Sequence, residues 1–293
     1  MFHKEIVLRS REGEKLRADL RYMSTGKPKP VILFIHGFKG FKNWGPFPHI
    51  CEELTKSGFV TISMNFSHNG VGDDLMNFTE LDRFAENTIS RELDEIDDAI
   101  GQIVNLNNIP IESEEVHIDS LGLLGHSRGA ANAILCTQHH KMIRAVVAWA
   151  PLRTFDRFTE RQKSDWKSKG YLEVLNSRTG QLMRMNSTIL KDFENHGEQF
   201  DILKAANKLT LQEKGLLIIT GSEDMTVKPA ESHEIYEAST KQFASLRIIP
   251  QTGHTFGATH PFLGNTHALD EAVACTVEFF RKYLVDHTIP SKD

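Results

Sequence analysis

Short apolar runs alternate along the chain with longer segments of helical periodicity, and this alternation limits the fold to a few architectures. Six runs rich in Val, Ile, Leu and Phe predict buried strands, at residues 31–35, 59–64, 121–124, 145–149, 216–220 and 246–249. Segments 89–104 and 269–284 repeat apolar residues every three or four positions, which is typical of helices that bury one face. Because parallel strands need crossover connections, we predict an α/β fold with a mostly parallel, doubly wound sheet of about eight strands.

The N-terminal segment has a different pattern. Residues 5–9 and 16–23 alternate apolar with polar side chains, which predicts an antiparallel hairpin at the edge of the sheet. The acidic stretch 92–98 is expected to lie mostly on the solvated face of the helix predicted at 89–104.

Residues 151–200 interrupt the alternation. We interpret them as a cap insertion within a single domain that spans residues 1–293. The predicted cap consists of a helix at 155–167, strands at 171–175 and 181–185 around a turn at 176–180, and a helix at 187–196.

Charge and cysteine content bear on partners and location. The net charge is −5 and the acidic residues are spread along the chain, so we expect neither nucleic acid nor a membrane as a partner. The three cysteines, Cys51, Cys136 and Cys275, are far apart and odd in number, which favours a reducing compartment. No apolar run approaches the roughly 18 residues that span a bilayer, and we expect a cytoplasmic protein.

The pentapeptide Gly-His-Ser-Arg-Gly at residues 125–129 is the strongest chemical signal. It follows a predicted strand and opens a helix of small residues, the context in which G-x-S-x-G holds a nucleophilic serine on a strained turn. We therefore predict Ser127 as a nucleophile.

A serine nucleophile needs a base, and the base needs a carboxylate to orient it. Asp224 and His254 each follow a predicted strand, and loops at the carboxyl ends of parallel strands meet at one edge of the sheet. We predict them as the acid and the base. The alternative acids are Glu223 and Asp156, and the alternative bases are His260 and His267.

Acyl transfer also needs hydrogen-bond donors for the developing oxyanion. Residues 36–40 follow the strand at 31–35 and contain a His-Gly pair. The backbone N–H groups of Phe38 and Arg128 are the predicted donors.

Metal and cofactor sites have no support in the sequence. Fourteen histidines are present, but no His-Glu-x-x-His or Cys-x-x-Cys pattern occurs. No Gly-x-Gly-x-x-Gly opens the first βα unit and there is no P-loop, so we expect neither a metal nor a cofactor.

Taken in order, His36-Gly37 with Gly40, the 125–129 turn, the 221–224 loop and Gly253-His254 resemble the four landmarks of the α/β-hydrolase superfamily. In detail, the chain resembles bacterial serine hydrolases similar to prolyl-oligopeptidase-like domains, dienelactone-hydrolase-like proteins and acyl thioesterases. It lacks a His-Gly-Gly-Gly motif, and residues 65–72 replace the Arg-Gly-x-Gly loop of many relatives.

The resemblance implies a serine hydrolase that cleaves a carboxylic ester or related acyl bond of a small molecule through an acyl-enzyme. Three alternatives remain open: an acyl- or aminopeptidase-like hydrolase, an acyl thioesterase and a non-catalytic binding scaffold. An aminopeptidase would need an acidic pair to bind a substrate amine, and the sequence identifies none.

Aromatic residues fall in the loops of the predicted catalytic edge, which suggests an apolar acyl or aryl pocket closed partly by the cap. The predicted substrate-binding residues are Trp44, Phe66, His68, Trp149 and Trp166. The side chains expected to contact a polar or anionic tail are Lys39, Lys42, Arg128 and Arg153.

Overall fold

A central eight-stranded sheet organises the protein. The computed structural model describes residues 1–176 and 179–286; Ser177 and Arg178 of the predicted turn, and 287–293 of the predicted domain, lie outside the described residues. The strands of the sheet run in the order β1-β2-β4-β3-β5-β6-β9-β10, and β7 and β8 form a separate antiparallel pair. The strands are β1 (Phe2–Arg9), β2 (Lys15–Tyr22), β3 (Lys29–Ile35), β4 (Val60–Met64), β5 (Val116–His126), β6 (Ile143–Trp149), β7 (Tyr171–Leu175), β8 (Leu182–Asn186), β9 (Gly215–Gly221) and β10 (Ala244–Ile249).

The sheet is mostly parallel, as predicted. From β4 to β10 all neighbouring strands are parallel, while β1 pairs antiparallel with β2 and β2 antiparallel with β4. Every residue of β3, β4 and β9 is buried, because helices cover both faces. The α/β fold class and the edge hairpin are confirmed.

Helices occupy the connections between the parallel strands, and a further helix follows the last strand. They are α1 (Phe47–Lys56), α2 (Leu81–Ala85), α3 (Ile89–Val104), α4 (Arg128–Thr137), α5 (Glu160–Lys169), α6 (Thr188–His196), α7 (Ile202–Leu211), α8 (Pro229–Ala238) and α9 (His267–Phe280). None of the helices in the described part of the chain combines the length and apolar character needed to cross a membrane.

The predicted cap segment contains α5, β7, β8 and α6 in the expected order. Its first helix begins at Glu160 and not at residue 155, because Thr159 caps it. The Thr159 hydroxyl accepts a hydrogen bond from the Gln162 backbone N–H, and the Gln162 side chain accepts one from Thr159 N. This capping box fixes the start of the helix and leaves the preceding residues as a loop above the sheet edge.

Two residues of the acidic stretch are buried, which corrects the prediction of a solvated face for them. Glu92 and Glu95 lie on the inner face of α3 with Ile89 and Ile96. Hydrogen bonds offset the cost of burying both carboxyl groups. Glu92 accepts one from Asn132 Nδ2 at 2.7 Å, and Glu95 accepts hydrogen bonds from the backbone N–H and the hydroxyl of Ser67. A buried carboxylate is tolerated only with such partners.

Candidate active site

Ser127 sits at the sharp turn between β5 and α4. Its backbone angles are φ 58° and ψ −119°, a conformation that non-glycine residues rarely adopt. A Cβ at Gly125 would lie 2.3 Å from the Gly129 carbonyl oxygen, and a Cβ at Gly129 would lie 2.3 Å from the Ile35 oxygen. The two glycines therefore let the helix pass against β5 and β3, and the turn lifts Ser127 beyond the strand end.

His254 and Asp224 come together at the same edge of the sheet. His254 Nδ1 lies 2.7 Å from Asp224 Oδ2. The other carboxylate oxygen, Oδ1, accepts backbone N–H bonds from Thr226 at 2.8 Å and Val227 at 2.9 Å. The carboxylate is thus oriented by the loop after β9 and presented to the imidazole.

The ionisation of Asp224 follows from this environment. Burial alone would raise the pKa of its carboxyl group, but the hydrogen bond and charge of His254 and the two backbone N–H groups outweigh burial and lower the pKa. Asp224 therefore carries a negative charge next to Nδ1 of His254.

The alternative acids and bases do not form such a pair. Asp156 binds Lys163 at 2.5 Å on the exposed surface, and Glu223 is also exposed. His260 Nδ1 accepts the Gly45 backbone N–H at 2.9 Å, and His267 is the exposed first residue of α9.

The loop that carries Phe38 packs against the serine turn. A Cβ at Gly37 would lie 3.0 Å from Ser127 Cβ and 3.4 Å from Arg128 N, so the two predicted oxyanion donors belong to backbone segments in contact. Arg128 is the first residue of α4, where a backbone N–H has no partner within the helix.

Hydrogen bonds of the His36 side chain stabilise the loop that carries Phe38. Its Nδ1 lies 2.9 Å from Gly37 O, while Nε2 accepts hydrogen bonds from Phe66 N at 3.4 Å and Asn69 Nδ2 at 3.3 Å. Burial lowers the pKa of His36 to about 4, so the ring is neutral at pH 7 and donates from Nδ1.

Two cavities meet at Ser127 and His254. The larger has a volume of about 790 Å³ and extends under the cap segment, and the smaller, of about 80 Å³, lies beside the Phe38 loop. Both residues line both cavities. Within the described residues, no hydrogen bond joins Ser127 Oγ to His254 Nε2, and such bonds often tighten only when substrate binds.

One of the five predicted substrate-binding residues lines these cavities: Trp44. Trp149 is buried below the site and donates to Thr276 Oγ1, while Trp166 is buried in the cap and donates to Met185 O. Both indoles are buried in the core, where their N–H groups have hydrogen-bond partners.

The other two predicted residues also lie outside the cavity walls. Phe66 is buried against the His36 ring with centroids 5.0 Å apart, and His68 is buried with its Nδ1 2.6 Å from Ser67 Oγ. The loop containing them turns inward and contacts His36, next to the loop that carries Phe38, without reaching the cavity.

Of the four cationic side chains expected to contact a substrate tail, two line the larger cavity and two do not. Lys39 and Arg128 line the larger cavity, whereas Lys42 is buried in an ion pair with Asp19 at 2.8 Å. Arg153 pairs with Glu234 on the surface.

Several wall residues were not predicted. They come from the cap segment and the loops around it: Leu152, Arg157, Asn176, Met185, Ile189, Phe193, Thr226 and Val227. The alternation in 181–185 could have indicated Met185, because every second side chain of a strand faces one side. The described residues contain no group of three or more His, Cys, Asp or Glu side chains that could hold a metal ion.

Solved structures with the same fold cover nearly the whole chain. Est1E from Butyrivibrio proteoclasticus matches with TM-score 0.67 and 16% identity over 95% of this chain and 98% of its own. A second Est1E structure is described with ferulic acid bound; it has TM-score 0.69 and 17% identity over 95% of this chain and 98% of that chain. The α/β hydrolase GrgF from Penicillium sp. sh18 matches with TM-score 0.73 and 14% identity over 97% and 99% of the two chains. At these identities the similarity establishes the fold alone.

Sequence comparison identifies the family. No curated protein matches the chain significantly. The profile of the prolyl oligopeptidase family matches residues 100–286, which is more than half of the chain and includes Ser127, Asp224 and His254. The chain belongs to the prolyl oligopeptidase family and is a hydrolase of the α/β-hydrolase superfamily.

Proposed function

We propose that the protein is a serine esterase that cleaves carboxylic esters of small molecules through an acyl-enzyme. Ser127 is the nucleophile, His254 the general base and Asp224 the orienting acid. The backbone N–H groups of Phe38 and Arg128 bind the oxyanion.

In the first half of the reaction, Ser127 Oγ attacks the ester carbonyl carbon and His254 Nε2 takes the hydroxyl proton. The carbonyl oxygen becomes an oxyanion between the two backbone donors. When the tetrahedral intermediate collapses, His254 returns the proton to the leaving alcohol. Water then attacks the acyl-enzyme while His254 takes one of its protons. When the second tetrahedral intermediate collapses, the bond to Ser127 Oγ breaks, His254 returns the proton to Oγ, and the acid product is released.

The observation that carries this proposal is the joint position of two groups. Ser127 on its strained turn and His254, held through Nδ1 by a buried Asp224, line the same cavities. A serine hydroxyl becomes an effective nucleophile only beside such a base, and the 2.7 Å bond leaves Nε2 as the nitrogen available to it.

Peptide hydrolysis is the second candidate, because the family takes its name from a peptidase. Recognition of a peptide N-terminus requires carboxylates near the serine. Among the described residues, no Asp or Glu lines the larger cavity. Its wall is mainly aromatic and aliphatic, which favours an acyl or aryl group over a protonated amine.

A substrate panel tests the proposal. Purified wild-type protein is assayed on p-nitrophenyl esters from acetate to decanoate, a feruloyl ester, an acyl thioester and aminoacyl arylamides. The ferulic acid bound to Est1E supports including the aromatic ester. We expect turnover of oxygen esters that is lost in Ser127→Ala. Faster turnover of the arylamides would favour the peptidase, faster thioester turnover the thioesterase, and no turnover of any substrate the binding scaffold.

A further inference from the structure

The described residues that line the larger cavity include cationic but no acidic side chains. Lys39, Arg128 and Arg157 line it, and within the described chain no carboxylate does so. The rest of the wall is mainly apolar, so a charge on a bound molecule would be poorly solvated there and would need a partner.

Of the three cations, Arg128 retains the most unused hydrogen-bonding capacity. Its Nη1 donates to Glu92 Oε1 at 3.2 Å, and within the described residues the guanidinium donates no other hydrogen bond. A guanidinium has five N–H donors, so Nε and Nη2 remain available to a ligand. The side chain is 11% exposed.

Arg157 is more fully occupied. Its Nη1 contacts both carboxylate oxygens of Glu231 at 2.9 Å, and its Nη2 donates to Thr226 O at 3.1 Å. Lys39 donates to Leu175 O at 3.0 Å. A ligand would have to compete with these bonds.

Arg128 is also held in place before any ligand arrives. Its Cζ lies 4.1 Å from the centroid of the Phe38 ring. Glu92, which accepts the hydrogen bond from Nη1, is buried and fixed by Asn132 and Asn87, each at 2.7 Å. A preorganised guanidinium loses little conformational freedom on binding an anion.

We propose that Arg128 binds a carboxylate of the substrate, so that the preferred substrates are esters with a second, anionic end. This inference rests on the proposed esterase function. The carboxylate would lie in the larger cavity, with the ester carbonyl at Ser127. It belongs either to the acyl part, as in a half-ester of a dicarboxylic acid, or to the alcohol part, as in an ester of a hydroxy acid.

Wild-type kinetics test the preference on two matched pairs. Monomethyl adipate against methyl hexanoate places the carboxylate on the acyl part, and 4-butyryloxybutanoate against butyl butyrate places it on the alcohol part. We expect kcat/KM to be at least tenfold higher for the anionic member of one pair, since hydrogen bonds to charged groups are strong. A preference below threefold in both pairs would refute the inference.

Variants assign the preference to the residue. Arg128→Gln keeps the backbone N–H and should reduce the anionic-to-neutral ratio of kcat/KM at least tenfold. Because this change leaves Glu92 buried without its cation, the double variant Arg128→Gln/Glu92→Gln is measured as well and should show the same loss. Arg153→Gln, outside the cavity, is the control and should leave the ratio unchanged. Loss of the preference in Arg157→Gln but not in Arg128→Gln would contradict the assignment.

A binding measurement separates this inference from the esterase proposal. Calorimetric titration of Ser127→Ala with the four compounds of the two matched pairs requires no turnover. In at least one pair we expect the anionic member to bind at least tenfold tighter than the neutral member, and this difference to be lost on adding Arg128→Gln. Equal affinities within both pairs would overturn the inference even if the wild type hydrolyses esters. Tighter binding of an anionic member, combined with a wild type that turns over no ester, would overturn the esterase proposal alone.

Discussion

The Nδ1 atom of His254 lies 2.7 Å from Oδ2 of Asp224, whose side chain is completely shielded from solvent. A shielded carboxylate interacts strongly with the imidazole, because little water screens it. In the proposed mechanism, this contact orients the ring and stabilises the imidazolium that forms when His254 takes the proton of Ser127.

We expect Asp224→Asn to lower kcat for ester hydrolysis by roughly 10,000-fold, because an amide in place of the carboxylate leaves the histidine in the wrong tautomer. Asp156→Asn is the matched control, since Asp156 forms a surface ion pair with Lys163. Steady-state kinetics of the two variants decide the assignment. If Asp156→Asn is the inactive variant, the acid has been misassigned.

We expect Gly129→Ala to lower the free energy of unfolding by on the order of 3 kcal/mol, because the added methyl group would overlap the Ile35 and His36 carbonyl oxygens. Gly101→Ala in α3 is the control. In the described part of the chain, no atom outside the adjacent residues and the surrounding backbone of α3 lies within 4 Å of a Cβ there, and alanine should raise helix stability by about 0.5–1 kcal/mol. Urea unfolding measures both, and equal stabilities would show that the turn does not require a glycine at 129.

Stability should depend on pH through Glu95. Burial raises the pKa of this carboxyl group from 4.5 to about 7, despite the hydrogen bonds from Ser67. The native state therefore keeps a proton that the unfolded state loses between pH 4.5 and 7, and this stabilisation disappears as pH rises through that window. We expect the free energy of unfolding of Glu95→Gln to fall less from pH 5 to pH 8 than that of the wild type, by on the order of 2 kcal/mol. Identical pH profiles in urea unfolding would contradict the raised pKa.

Side chains of the cap segment that line the larger cavity should affect KM for long-chain esters more than KM for short-chain esters. Phe158 lines the larger cavity and packs on Trp166 with ring centroids 5.1 Å apart. We expect Phe158→Leu to raise KM for p-nitrophenyl octanoate roughly fivefold, about 1 kcal/mol of lost apolar contact, and to leave KM for the acetate nearly unchanged.

Trp166→Ala is compared with Phe158→Leu, because its expected effect is on the free energy of unfolding. The indole is fully buried and donates to Met185 O at 2.9 Å, so its removal should cost about 3–5 kcal/mol of stability.

If Phe158→Leu raises KM equally for both esters, the acyl chain does not bind beneath the cap.

The sheet could be predicted because buried strands must be continuously apolar and the edge hairpin must alternate. The positions of Asp224 and His254 could also be anticipated, because the ends of neighbouring parallel strands converge whatever the intervening sequence. The strained turn at residues 125–129 could be predicted from the local sequence, because glycines precede and follow the serine.

The direction of individual side chains could not be read in this way. Trp149 and Trp166 belong to the right segments, but their indole N–H groups bind Thr276 and Met185 inside the protein. The burial of Glu92 depends on Arg128 and Asn132, which are distant in sequence and meet it only through the packing of α3 and α4. Contacts of this kind are set by tertiary structure and leave no local pattern.

Reaction with a fluorophosphonate tests the assignment of the nucleophile most directly, because this reagent phosphonylates serines that an adjacent base activates. The labelled protein is weighed intact and then digested, and the modified peptide is sequenced by mass spectrometry. We expect one label per chain, located on Ser127, with none on folded Ser127→Ala and slower labelling of Asp224→Asn. A label on another residue, or a folded wild-type protein that takes none, would contradict the account.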